Sequence, residues 1–210
     1  MSFKAYKYRI YPTKEQASYL SQVFGSVRFV WNQLVKNFNS FDKNGPNRPM
    51  NEKILKENPQ FHWLKDSISF ALQKKRLDFE ETKSQFFNKK RKVQLGRMKF
   101  KKKGGRDSFN IPGQKMINKI DFDKSTIKIP KMAPMKMIID RKFKGNLRNV
   151  TISKNPSGQY FASILVEEEI ELMQNTGRSI GIDLGLSSLI TLSDGTKIDN
   201  PRWFRESQAK

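Results

Sequence analysis

One aspartate near the end of the chain has the surroundings of a metal-binding carboxylate. Asp183 lies in the segment SIGIDLGL, residues 179–186, where apolar neighbours indicate a buried strand and glycines leave room around the carboxylate. A second apolar segment, residues 189–192, and the turn Ser193-Asp194-Gly195 follow at once. The pattern predicts that Asp183 is displayed on the first strand of an antiparallel meander, where it could bind Mg.

Two interpretations of Asp183 remain open at this point. In the first, it is one ligand of a two-metal nuclease centre, which needs further carboxylates to share the Mg ions. In the second, it only satisfies a turn or a backbone amide. The acidic residues that follow are Asp194, Asp199 and Glu206, all of them local. The sequence therefore begins a metal site without completing it.

The charge of the chain points to a polyanionic partner. The 210 residues contain 41 Lys and Arg against 20 Asp and Glu, which gives a formal charge of +21. Nucleic acid is the partner that such a charge favours, and an anionic membrane surface is the alternative. No apolar run approaches the ~20 residues of a spanning helix, and the N-terminus lacks a signal-peptide core. We therefore expect a cytoplasmic, nucleoid-associated protein with no membrane partner.

Cysteine and histidine usage excludes several kinds of site. The chain has no cysteine, so disulfides and thiolate metal sites within it are excluded, and we expect no zinc site. His62 is the only histidine, and beside Phe61 and Trp63 it is expected to pack or to face solvent. Histidine-based catalysis would thus depend on a single residue.

The most basic stretch, residues 83–106, has the composition of a nucleic-acid groove. It carries eleven Lys and Arg and no acidic residue, and it includes Phe86, Phe87 and Phe100. Cations contact phosphates and aromatic rings stack on bases, while the glycines predict a mobile arm that orders on binding. The alternative is a solvated charge run. The candidate phosphate contacts are Lys89, Lys90, Arg91, Lys92, Arg97, Lys99, Lys101, Lys102, Lys103 and Arg106.

The elements before this arm are mainly helical. An alternating strand at 3–11 precedes a capping box at Thr13 and Gln16, and a helix follows that Gly25 is expected to end. Ser26 is expected to cap a second helix, which makes a helix-turn-helix or, alternatively, an ordinary helical hairpin. A short helix is predicted near 52–57 and a long one from about residue 66 to Phe86.

After the arm the apolar period changes to two. Short strands are predicted at 126–129, 135–139, 149–154 and 159–166, the last two joined as a hairpin. With the strand at 3–11 they would close a small antiparallel β-barrel into which the helices are inserted, an α+β fold. The acidic patch at 167–171 is interpreted as a linker that avoids nucleic acid.

These features, in this order, resemble the transposon-encoded TnpB (OrfB) family, which is related to type V CRISPR effectors. The resemblance covers essentially the whole chain, and its motifs are AYKYRIYP at 5–12, GSVRFVWN at 25–32, WL at 63–64, FALQ at 70–73, MKFKKK at 98–103 and GIDLG at 181–185. It implies a guide RNA and a double-stranded DNA target as partners, and Mg-dependent cleavage beside a short adjacent motif.

The resemblance also implies an architecture and site residues. Residues 1–12 and 107–172 would form a wedge-type β-barrel, 13–106 a helical recognition lobe with the basic arm, and 178–210 the start of a RuvC-like, ribonuclease-H-fold domain. Asp183 matches the first RuvC carboxylate. The positions at which the family reads the adjacent-motif duplex are matched by Phe70, Gln73 and Asn110.

The departures from the family pattern set the functional expectations. The second and third catalytic carboxylates and the cysteine-ligated zinc module have no counterpart in these residues. We therefore expect a truncated protein that binds RNA and DNA without cutting alone. The enzymatic alternative is half of a split nuclease, completed with Mg by a separate C-terminal chain. A third hypothesis takes residues 181–185 as the phosphate-binding opening of an actin-like ATPase fragment.

Overall fold

The fold begins with a strand whose alternating residues face two environments. Strand β1 (Ser2–Tyr11) buries Tyr6, Tyr8 and Ile10, and exposes Lys7 between them. The predicted opening strand is therefore confirmed, with its apolar face in the core.

The structure is a computed structural model that describes residues 2–40, 50–88, 98–105, 107–169, 177 and 179–208. Contacts divide the chain into two compact units, Met1–Ile170 and Glu171–Lys210. No helix in the described ranges is long and apolar enough to cross a membrane.

The first unit contains a seven-stranded antiparallel sheet that curls into a half-barrel. Its strand order is β2-β6-β7-β1-β5-β4-β3. The strands that join β1 are β2 (Asp107–Pro112), β3 (Ile120–Asp121), β4 (Thr126–Ile127), β5 (Met135–Ile138), β6 (Asn146–Lys154) and β7 (Tyr160–Glu168). The sequence predicted four of these six, whereas β2 and β3 were missed because their alternation is short and interrupted by polar residues.

The β6–β7 hairpin has the pairing that its alternation predicts. Val150 lies opposite Ile164 and Ile152 opposite Ala162, and all four side chains are buried. Such cross-strand apolar pairs stabilise a sheet and fix its register, because a slip by one residue would turn them to solvent.

The helices of the first unit are α1 (Lys14–Asn39), α2 (Glu52–Glu57) and α3 (Ser69–Phe86), with a 3-10 helix at Pro59–Lys65 between the last two. The capping box at Thr13 and Gln16 is present and starts α1 as predicted. The expected start of the long helix near residue 66 was three residues early. Residues before Ser69 instead end the 3-10 helix and turn.

The expected break at Gly25 is wrong, because α1 runs through it without interruption. Ser26 does not cap a second helix, since its hydroxyl donates to the Gln22 carbonyl one turn earlier at 2.9 Å. Glycine in a helix costs only about 1 kcal/mol relative to alanine. The buried stripe on both sides of Gly25, which includes Phe24 and Val27, outweighs that cost because it packs as one continuous face.

One core joins the helices to the sheet. Helix α1 packs against α3 and β2, and α3 also packs against β2. Phe24 of α1 lies 5.4 Å from Phe109 of β2, and Trp31 of α1 lies edge-on to Phe79 of α3 at 5.6 Å, both measured between ring centroids. Aromatic contacts of this geometry add to the burial energy and fix the helix orientation.

Part of the acidic patch is structural and is not a linker, which corrects the sequence interpretation. Glu167 and Glu168 lie within β7, where Glu168 accepts a hydrogen bond from the Tyr6 hydroxyl at 2.8 Å and lies 3.4 Å from the Lys4 ammonium. Glu167 pairs with Arg148 on the neighbouring strand. Cross-strand partners of opposite charge therefore place these carboxylates in the sheet.

The second unit contains a three-stranded antiparallel sheet and a short helix. Strand β8 (Ile182–Leu184) pairs with β9 (Ser188–Leu192), which pairs with β10 (Lys197–Asp199), and α4 (Trp203–Gln208) follows. The predicted meander is confirmed. The predicted burial of its first strand is wrong, since all of β8 is exposed. An apolar strand is buried only where another layer packs on it.

Candidate nucleic-acid interface

The C-terminal end of the basic arm is held on helix α1 by side-chain-to-backbone hydrogen bonds. The Trp31 indole nitrogen donates to the Lys99 carbonyl at 3.1 Å. The Asn32 amide donates to the Lys101 carbonyl at 3.0 Å and accepts from the Lys101 backbone N–H at 2.8 Å. Met98 is buried beside them. Residues 98–101 are thus anchored, which corrects the expectation of a mobile arm for this part.

The anchored arm end carries four lysines. Lys99, Lys101, Lys102 and Lys103 are all exposed. Lysines on a fixed backbone can contact phosphates without ordering the main chain at the moment of binding. The arm end therefore has the geometry of a preorganised phosphate contact.

A cluster of cations surrounds Trp31 where the arm meets helix α3. The Lys101 ammonium lies 4.5 Å from the centroid of the indole ring, and the Lys75 ammonium 6.0 Å from it. Burial of the Lys101 ammonium lowers its pKa, and the neighbouring Lys75 charge lowers it further. Lys101 is exposed as a residue, whereas its ammonium group lies against the indole ring of Trp31. An approaching anion would relieve the repulsion between the two lysines.

Asp78 balances part of this positive charge. Its carboxylate lies 2.9 Å from the Lys75 ammonium and 3.1 Å from that of Lys74. Burial by itself would raise the pKa of Asp78, but the hydrogen bonds and charges of the two lysines outweigh it, and the pKa is lowered. Three lysines surround one carboxylate, so the cluster remains positive and can attract phosphate.

The three residues predicted to read duplex DNA lie on two adjoining elements of the first unit. Phe70 and Gln73 are on α3, and Asn110 is on β2, against which α3 packs. Gln73 is exposed, whereas Phe70 is half-buried with the Lys115 ammonium 4.9 Å from its ring centroid. The Asn110 side-chain oxygen accepts from the Thr151 hydroxyl at 2.6 Å. Of these three residues, Gln73 is exposed, whereas Phe70 and Asn110 are half-buried.

A second cationic and aromatic surface on the sheet was missed as a candidate site. The Lys7 ammonium lies 4.3 Å, and the Arg9 guanidinium 5.2 Å, from the ring centroid of Phe161 on the neighbouring strand β7. Arg9 also lies 5.4 Å from the ring of Tyr11. The signal was present in the sequence, because Lys7 and Arg9 alternate with the buried tyrosines, but their aromatic partner is distant in sequence.

Six of the predicted phosphate contacts lie outside the described residues. They are Lys89, Lys90, Arg91, Lys92, Arg97 and Arg106. His62 is exposed at the surface, which is one of the two environments expected for it.

Asp183 lies on β8 in the second unit, opposite Thr191 of β9. It is exposed, and among the described residues no three acidic, histidine or cysteine side chains group closely enough to hold a metal ion. A two-metal centre needs several shared carboxylates, so Asp183 together with the described side chains around it does not make up such a centre.

Comparison with known proteins bears on the first unit and on the chain as a whole. The family profile HTH_OrfB_IS605, described as a helix-turn-helix domain, matches residues 1–39. This is the region of β1 and α1, although α1 is a single helix here.

Two curated relatives match nearly the whole chain. A protein of Escherichia coli (strain K12) named "Putative RNA-guided DNA endonuclease InsQ" is 31% identical over 214 residues, which cover 99% of this chain and 51% of that protein. A "Putative RNA-guided DNA endonuclease" of Streptomyces pristinaespiralis is 29% identical over 216 residues, with 99% and 52% covered. The chain thus spans about half the length of the curated relatives it matches.

Proposed function

The chain belongs to the transposon-encoded TnpB (OrfB) family of RNA-guided DNA endonucleases, and we propose that it binds a guide RNA and double-stranded DNA through its first unit. In this proposal the half-barrel sheet is the wedge-type barrel of the family and the helices are its recognition lobe. The observation that carries the proposal is the anchored arm end, where a fixed backbone presents four exposed lysines.

The binding proposal predicts a strong dependence on salt. Each phosphate neutralised by a lysine releases counterions, so the logarithm of the affinity falls against log salt by about 0.7 to 0.9 per contact. Changing Lys99, Lys101, Lys102 and Lys103 together to Gln should reduce that slope by about 2 to 4. Fluorescence anisotropy with a labelled single-stranded RNA at several salt concentrations measures it.

A matched control is available on the same unit. Lys4, Lys53, Lys128 and Lys136 changed to Gln remove the same charge from other surfaces. The control should lower the slope less than the arm variant does. Equal slopes for the two variants would mean that the arm lysines act only through net charge.

We further propose that Phe70, Gln73 and Asn110 read the duplex beside the target. Residues three apart share one face of a helix, so Phe70 and Gln73 can meet the same groove, where an amide pairs with an adenine edge and a ring contacts a thymine methyl. The proposal is supported by the packing of α3 against β2, which carries Asn110. The alternative is that Phe70 only packs and Gln73 is only solvated.

A binding assay separates these two roles. Gln73→Ala should weaken binding to the preferred duplex by about 1 to 3 kcal/mol and leave other duplexes almost unaffected. Gln60→Ala, an exposed glutamine on the 3-10 helix, is the control. Equal losses for all duplex sequences, or none, would support the solvated role.

The nuclease part of the proposal rests on Asp183 and on exposed apolar residues of the second unit. We propose that residues 178–210 are the start of a RuvC-like domain with Asp183 as its first carboxylate. Mg bound with further carboxylates would supply the Lewis acid for phosphodiester hydrolysis.

The second candidate function is a split nuclease completed by another polypeptide segment. Leu184 and Leu186 are 73% and 90% exposed, and Trp203 and Phe204 are 72% and 75% exposed. Apolar surface of this kind marks a face that another element covers. Mixing the chain with the C-terminal half of a relative should produce Mg-dependent cleavage that Asp183→Ala abolishes. No cleavage in that mixture would argue against the split nuclease.

A further inference from the structure

We propose that a cleft beside helix α1, between its middle and the end of the 3-10 helix, binds one unstacked nucleobase of the nucleic acid. The cleft has a volume of about 620 Å³ and lies entirely within the first unit. This is within the range of small-ligand sites, which are concave, mostly apolar and provided with a few polar groups. The inference rests on the proposed nucleic-acid binding.

An aromatic wall lines one side of the cleft. Phe29 lies edge-on to Trp63, with ring centroids 5.1 Å apart, and edge-on to Phe61 at 4.9 Å. These contacts fix the orientation of the indole, yet Trp63 remains 44% exposed. A rigid, accessible aromatic ring is the platform on which single-stranded bases stack.

A buried hydroxyl in the lining has no partner within the chain. Ser67 is 4% exposed, and its hydroxyl makes no hydrogen bond within the described residues. Its backbone is satisfied, since its N–H donates to the Leu64 carbonyl at 3.3 Å and its carbonyl accepts from the Lys131 ammonium at 3.1 Å. Among the polar groups of Ser67, the hydroxyl is the one without a hydrogen-bond partner in the described residues. An unpaired buried polar group is costly, so a ligand that pairs with it gains affinity.

The position of Ser67 is fixed by contacts behind the cleft. The Lys131 ammonium also lies 3.1 Å from the carbonyls of Lys65 and Asp66, and the Tyr19 hydroxyl donates to the Asp66 carbonyl at 3.0 Å. Through Tyr19 these bonds join the end of the 3-10 helix to α1, and through Lys131 they join it to the segment between β4 and β5. The backbone of Ser67 is therefore held in place before a ligand arrives, which lowers the entropy cost of binding.

The charges of the lining favour a base over a phosphate. The charged residues that line the cleft are one cation, Arg28, and one carboxylate, Asp66. Arg28 is already paired with Asp107 at 2.9 Å, so its charge is neutralised. Asp66 would repel a phosphate but can accept a hydrogen bond from an exocyclic amino group. A neutral base with such a group, adenine, cytosine or guanine, fits better than uracil.

The test uses the 210-residue chain with single-stranded RNA 8-mers of A, C or U. Binding should quench the tryptophan emission of the wild type and of Trp203→Phe, but the quenching should be largely lost in Trp63→Phe. Trp63→Ala should weaken the affinity for oligo(A) about 5- to 100-fold, because the stacking is lost. Oligo(U) should bind more weakly than oligo(A) or oligo(C) in the wild type.

Ser67→Ala keeps the test valid if Trp63→Ala fails to fold. It should weaken oligo(A) binding about 2- to 10-fold without lowering the Tm, because the folded chain gives that hydroxyl no partner whose loss would destabilise it. Ser69→Ala is the matched control, since the Ser69 hydroxyl lies 3.1 Å from the Lys56 ammonium and not in the cleft.

Two results would overturn the inference, and they are distinguishable. Salt-dependent RNA binding that is unchanged in both Trp63 variants and in Ser67→Ala would leave the proposed function intact and remove the base site, as expected if the cleft takes a peptide. Absence of any RNA binding by the wild type would overturn the proposed function and the base site together.

Discussion

The same apolar alternation is buried in one unit and exposed in the other. In β7, Ala162, Ile164 and Val166 are all 0% exposed, whereas Ile182 and Leu184 of β8 are 63% and 73% exposed. Both strands belong to antiparallel sheets, but only the first has helices packed with it into one core. Alternation thus predicts a strand and its two faces, and it does not predict that a second layer covers the apolar face.

A matched pair of leucine substitutions measures this difference most strongly. Leu72→Ala on α3 should lower the free energy of unfolding by about 2 to 5 kcal/mol, because it leaves a cavity in the core, where Leu72 is 0% exposed. Leu186→Ala, at a residue that is 90% exposed, should change it by less than about 0.5 kcal/mol. Urea unfolding followed by tryptophan emission gives both values. Similar losses at the two positions would mean that the face of the second unit is covered in solution.

Two glycine substitutions in the first unit, one in a helix and one in a turn, are expected to change the free energy of unfolding by smaller amounts and in opposite directions. Gly25→Ala should raise the free energy of unfolding by about 0.5 to 1 kcal/mol, because Gly25 is inside α1 and an added Cβ meets nothing within 4 Å. Gly158→Ala, in the turn between β6 and β7, should lower it by about 1 kcal/mol, since Gly158 has φ of 78°. Thermal unfolding of the two variants tests both signs. Destabilisation by Gly25→Ala would contradict a continuous α1 and would support the helix break that the sequence predicted at Gly25.

The predictable parts of the fold depend on local signals. The capping box at Thr13, the β6–β7 hairpin and the meander from β8 to β10 each have a period or turn that is complete within a few residues. The continuity of α1 depends on distant partners in α3 and β2, so the local cost of Gly25 gave the wrong boundary. The packing of a long, continuous apolar helix face outweighs the low helix propensity of a single glycine.

The candidate site was predictable in composition but not in geometry. The basic arm was evident from its charge, whereas its anchoring by Trp31 and Asn32 joins residues that are nearly seventy positions apart. The Trp63 and Ser67 cleft gave no sequence signal, because an unpaired hydroxyl is recognised only after its neighbours are placed.

The division of roles between the two units is tested most directly by one combined binding and cleavage assay. The purified 210-residue chain is incubated with RNA transcribed from the DNA adjoining its gene, a matched DNA duplex and millimolar-range Mg. A single Asp with waters holds Mg too weakly and loosely to position an attacking water. This division of roles predicts a salt-sensitive complex and intact DNA, with Asp183→Ala indistinguishable from the wild type. RNA-dependent cutting that Asp183→Ala abolishes would contradict it.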